Sequence, residues 1–125
     1  MLQILKQERK EAYADEINRL GIDISDAHVS EAVDSGKVIG WAIYSMSDDL
    51  LIIHSICPTD DLLLFDGIIR SVLFLAEQKG IQKALIAKGI ASTACRLKLL
   101  EDGEDIIYPI SSVFSGCKHC KENKS

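Results

Sequence analysis

The sharpest chemical pattern in this chain lies near its end. Cys117-Lys118-His119-Cys120 sets two thiols at C-x-x-C spacing with an imidazole beside the second. That spacing suits a zinc knuckle or a dithiol switch. A structural zinc takes four ligands. The sequence has no second C-x-x-C, and Cys57 and Cys95 are far away along the chain. Zinc is therefore not expected, and no metal is assigned to Cys117 and Cys120. An exposed tail is the plainer reading; a redox role or a site bridging two chains are the alternatives.

Two further residues could carry chemistry. His54 interrupts the apolar run Leu50–Ile56. An imidazole titrates near neutral pH and could act as a general base. The plainer reading is a hydrogen-bonded, half-buried strand histidine. Cys57 precedes Pro58 and faces the start of the following helix, where positive dipole potential favours a thiolate. Asp60 and Asp61 oppose that effect, and burial as a small apolar side chain is the expectation for both Cys57 and Cys95. The acidic turns at Asp48-Asp49 and 101–105 read as solvated loops or as attractors of a cationic amine.

These residues hang on one stretch, 50–80. An apolar run rich in β-branched residues suits a central strand. Pro58 ends it, having no N–H for a sheet ladder. Thr59-Asp60-Asp61 supplies capping oxygens and negative charge to a helix start. From Leu62 the apolar residues Phe65, Ile68, Ile69, Val72, Leu75 and Ala76 keep a helical period. Asp66 and Arg70 stand four apart in the favourable order, acid first. Gly80 stands where a helix end takes positive φ.

Around this stretch the chain predicts a short edge strand over 1–5 and a helix over 6–20 stopped by Gly21. A hairpin follows, with strands over 28–34 and 38–44 joined by Asp34-Ser35-Gly36-Lys37. After Gly80 come a strand over 83–87, a helix over 91–100, and one or two terminal strands over 106–108 and 110–114. The strand–helix–strand unit requires strands 50–57 and 83–87 to be parallel. The fold class is α+β: a mixed sheet with an antiparallel meander, then a βαβ unit and terminal strands. Residues 1–116 are expected to form one domain and 117–125 a polar tail.

The 125 residues carry 14 basic and 19 acidic side chains, a net charge of -5. That balance argues against nonspecific nucleic-acid binding, which needs clustered Lys and Arg. No apolar run approaches a membrane span, and the start does not read as a signal peptide. A cytoplasmic location with reduced cysteines is expected.

The order of elements resembles the GNAT superfamily of acyl-CoA N-acyltransferases. Gly36-Lys37-Val38-Ile39-Gly40-Trp41-Ala42 is similar to that family's third strand, and Ile56-Cys57-Pro58 to the V-x-P ending its fourth. The distance from Pro58 to Gly80 matches as well. The resemblance covers residues 28–114. It implies acetyl-CoA or another acyl-CoA as donor, with the pantetheine arm on the main chain of Ile56 and Cys57. It also implies a small-molecule or peptide amine as acceptor; a homodimer is compatible with it.

Two departures bear on function. The family's R/Q-x-x-G-x-G/A loop brings backbone N–H groups to the CoA diphosphate. Here the same place reads Asp61-Leu62-Leu63-Leu64-Phe65-Asp66. The tyrosine that the family often uses as general acid corresponds to Leu97. The resemblance therefore assigns no catalytic residue, and His54 and Cys57 stand as candidates from the residue reading alone. The alternative to an acyltransferase is a non-catalytic binding or assembly module that keeps the fold without binding CoA.

Overall fold

The computed structural model describes residues 2–7, 10–101 and 103–114. The C-x-x-C pair and the polar tail lie outside the described residues.

Strands β1 (Leu2–Gln7), β2 (His28–Asp34), β3 (Lys37–Met46) and β4 (Leu51–Cys57) form an antiparallel meander. Helix α2 (Leu62–Gln78) then leads to β5 (Ala84–Ile86), which lies parallel to β4. Helix α3 (Lys88–Arg96) leads to β6 (Ile106–Ile107), antiparallel to β5. Helix α1 (Ala14–Arg19) precedes β2. The sheet has six strands in the order β1 to β6, so the mixed topology is as expected.

Helix α2 forms for the reasons its sequence shows. The Asp61 carboxylate accepts the Leu64 N–H at 3.1 Å, capping the first turn. Asp66 and Arg70, both half-buried, pair at 2.9 Å along the helix. Gly80 takes φ +84° just past the end. Phe65, Ile68, Ile69, Val72, Leu73 and Ala76 are fully buried against Ala42, Tyr44, Ile53 and Ile56 of the sheet. Each large side chain stabilises the fold by about 1.5–3 kcal/mol. A smaller cluster, Ile17 with Ala27, Val29 and Ile43, holds α1 on the other face.

Three expectations need correction. The helix predicted over 6–20 is shorter. Strand β1 continues through Gln7, because every one of its residues finds a partner on β2. A 3-10 turn at Glu11–Tyr13 then leads into α1. The helix predicted over 91–100 instead starts at Lys88, directly after β5. It stops where Lys98 turns to φ +65°, which drops Leu100 into the core. The strand predicted over 110–114 is a helical turn, with Ser112 N–H on the Pro109 carbonyl at 3.1 Å and Val113 N–H on Ile110 at 2.9 Å. Ile110 and Ser111 give their N–H groups to Gln82, main chain and side chain respectively. Their donors are used there rather than on a ladder.

Candidate functional site

The parallel pairing of β4 with β5 covers only Leu51, Ile52 and Ile53. Its last bond runs from Ala87 N–H to the Ile53 carbonyl at 3.0 Å, and α3 begins one residue later. Strand β4 runs on to Cys57, where Ser55, Ile56 and Cys57 pair with β3 alone. It also bends there: Tyr44 faces Ile53 while Ile43 faces Ser55, so His54 is an extra residue with no partner on β3. Such a bulge kinks a strand and raises its twist. Pairing between β4 and β5 thus ends before His54, where β5 gives way to α3. Among the described residues no strand pairs with the outer edge of Ser55–Cys57, leaving main-chain groups there for an extended ligand.

The α1 face of this region is made by β2, β3 and β4 together. Register sets Glu31 opposite Trp41 and Trp41 opposite Cys57, so the three side chains form one row across the sheet. Tyr13, at the start of α1, closes over the row. Its hydroxyl donates a short hydrogen bond to Glu31 Oε2, and its ring lies 5.6 Å from that of Trp41. Burial, then the hydrogen bond and charge of Glu31, push the Tyr13 hydroxyl well above its ordinary range, so it stays a donor. The next row on this face carries Ile43 and Ser55.

His54 is half-buried, and its Nε2 lies 2.9 Å from the Ser45 hydroxyl. Burial holds its pKa below the ordinary histidine value. The neutral imidazole is therefore the form present near pH 7, which a base requires. Ser45 lines a cleft of about 380 Å³ with Asp26, His28 and Ile52. His54 is thus the hydrogen-bonded, half-buried strand histidine of the plainer reading, and it stands just beyond the last β4–β5 pair. Cys57 departs from its expectation. It is exposed rather than buried, standing at the end of the row beyond Trp41, while Cys95 is partly buried.

The helix start beyond Pro58 is acidic and full. The Asp61 carboxylate already occupies the Leu64 N–H, Asp60 and Asp61 are exposed, and Leu63 projects into solvent at 88% exposure. An anion brought to this turn meets like charge in place of glycine amides.

The architecture matches known enzymes. The ribosomal-protein-S18-alanine N-acetyltransferase from Escherichia coli superposes with a TM-score of 0.61 at 16% identity, over 88% of this chain and 94% of that one. The IAA acetyltransferase from Bacillus cereus gives 0.61 at 13%, over 78% and 75%. A GNAT family acetyltransferase from Elizabethkingia anophelis with acetyl-CoA bound gives 0.59 at 10%, over 78% and 72%. The fold is that of the GNAT acetyltransferases. No protein-family model and no curated protein matches the sequence. The chain is thus a divergent bearer of the GNAT fold. No group of metal-ligating side chains occurs among the described residues, and none of their helices is long and apolar enough to cross a membrane.

Sequence reasoning passed over Glu31, Tyr13 and Trp41. One signal was present: on β2, Glu31 alternates with Val29 and Val33, so a carboxylate shares a face with apolar neighbours. The tyrosine and tryptophan that join it come from other elements.

Proposed function

We propose that this chain is an acyltransferase of GNAT type, moving an acyl group from a thioester donor to an amine. The observation that carries this reading is the end of β4–β5 pairing at the bulged His54, which leaves Ser55–Cys57 with a partner strand on one side only. An acyl-CoA is the donor class. Its pantetheine arm would lie along the free edge of β4, taking hydrogen bonds from the main chain at Ile56 and Cys57. A main-chain N–H near the bulge would polarise the thioester carbonyl. His54, neutral near pH 7, would take the proton of the attacking amine directly or through water. The nitrogen forms a bond to the carbonyl carbon, the carbon–sulfur bond breaks, and the thiolate leaves to be protonated. The acceptor, a small-molecule or peptide amine, would approach on the α1 face. A cytoplasmic setting, where acyl-CoA is present, fits this reading.

One observation favours the alternative, a binding module that does not take CoA. The Asp61 carboxylate fills the amide position where a diphosphate would otherwise sit. Isothermal titration with acetyl-CoA, together with thiol release in the presence of a panel of amines, separates the two. Saturable binding and amine-dependent thiol release support the acyltransferase. No heat at millimolar acetyl-CoA supports the module.

A further inference from the structure

Glu31 lies in a row whose other members are apolar or uncharged. Leu5 faces it from β1 and Trp41 from β3, and Cys57 stands beyond Trp41. Its carboxylate is half-buried. Tyr13 occupies Oε2, and among the described residues nothing donates to Oε1 and no ion pair reaches Glu31. The ammonium of Lys10 does not neutralise it, being held by the carbonyls of Ile24 and Ala27 at 2.8 and 2.6 Å. A carboxylate with a free oxygen, fixed by the Tyr13 hydroxyl and set opposite Trp41, offers one kind of chemistry. The carboxylate attracts positive charge, and its apolar and aromatic neighbours suit a poorly hydrated cation.

We infer that Glu31, Tyr13 and Trp41 form a binding site for an organic ammonium group on the α1 face of the sheet. Tyr13 positions the carboxylate, Glu31 supplies the charge, and Trp41 supplies the wall. Taken with the acyl-transfer reading, on which this consequence rests, the site narrows the acceptor. An ammonium held by Glu31 keeps its proton and its positive charge, so it has no lone pair for attack on a thioester. The reacting nitrogen must be a different one, placed near His54. Glu31 stands two strands from β4, on the order of 10 Å across the sheet. The acceptor then carries a second cationic group, remote from the nitrogen that is acylated.

The site can be tested without any turnover. Trp41 is the single tryptophan of the chain, so its fluorescence reports on this place alone. The probe is tetramethylammonium chloride, added at constant ionic strength against sodium chloride. tert-Butyl alcohol serves as an uncharged molecule of nearly the same tetrahedral shape. The expected result is a saturable change with tetramethylammonium and none with the alcohol. Glu31→Gln should weaken the response at least tenfold, since glutamine still accepts the Tyr13 hydrogen bond but carries no charge. Saturation transfer from the unaltered protein to the probe's methyl protons gives a second reading that needs no variant. No saturation and no transfer, or an equal response in Glu31→Gln or to the alcohol, overturns the site. Binding of the probe without thiol release from acetyl-CoA leaves the site standing and counts only against acyl transfer. Acyl transfer to simple monoamines without probe binding does the reverse.

Discussion

The backbone at Gly40 passes so close to Cys57 that a Cβ there would lie 2.9 Å from the Cys57 carbonyl oxygen and 2.8 Å from Ile68 Cδ1. The glycine lets α2 and the end of β4 close together over β3. Gly40→Ala should therefore destabilise the protein by about 1–3 kcal/mol, the usual range for overpacking a core. Because the carbonyl marks the open end of β4, the variant should also weaken any ligand bound there. Urea unfolding followed by circular dichroism measures the first effect and titration the second.

Asp60 and Asp61 define a second expectation. Asparagine caps a helix about as well as aspartate. The double change Asp60→Asn with Asp61→Asn should leave thermal stability nearly unchanged while removing two negative charges from the helix start. Acetyl-CoA should then bind several-fold more tightly, with a weaker dependence on salt. Calorimetry at two ionic strengths reads both. Equal affinity in the two proteins would show that the acidic turn does not face the donor.

His54 gives the clearest kinetic test. His54→Gln can keep a hydrogen bond to Ser45 but cannot take a proton near neutral pH. Amine-dependent thiol release should fall by about 10²-fold or more. In the unaltered protein the rate should rise with pH through a value below the ordinary histidine pKa, because burial lowers that of His54. A rate limb that survives the substitution would assign the proton transfer elsewhere.

Stability should follow pH through the same chemistry. His54 by burial, and His28 by burial and then Lys6, Lys10 and Lys79, have folded pKa values below their unfolded ones. The folded protein therefore binds fewer protons than the unfolded chain in this window. Stability is fully present above the unfolded value of about 6.5 and is lost as pH falls toward the lowered folded values. Denaturant midpoints measured from pH 7.5 down to 5 should decline. The decline should be shallower when both histidines are replaced by glutamine.

Tyr44 and Ser30 form a buried pair, with hydroxyls 2.8 Å apart and neither side chain more than 1% exposed. Tyr44→Phe leaves the Ser30 hydroxyl without that partner and should cost about 1–3 kcal/mol. Adding Ser30→Ala should recover part of the loss. A double-mutant cycle in urea checks the coupling.

The chain's middle was readable because local chemistry decides it. Asp61 caps, the apolar period of Phe65 to Ala76 faces the sheet, and Gly80 stops the helix whatever lies around them. The hairpin at Ser35-Gly36 is equally local, both residues taking positive φ. The ends were harder. The pull of β2 on Lys6 and Gln7, and of Gln82 on Ile110 and Ser111, comes from residues distant in sequence, and it overrode the local preference at each place.

The sequence by itself determined the fold class, the parallel strand pair and the acidic, glycine-free turn before α2, since each follows from residue types at short separation. Only the tertiary structure decided where β4 leaves β5 and which side chains meet beside the opening. A bulge at His54 depends on how two strands share register. The row from Glu31 to Cys57 depends on three strands lying side by side, with Tyr13 arriving from a helix. Contacts of that kind are made across space, between residues whose order along the chain carries no trace of their meeting.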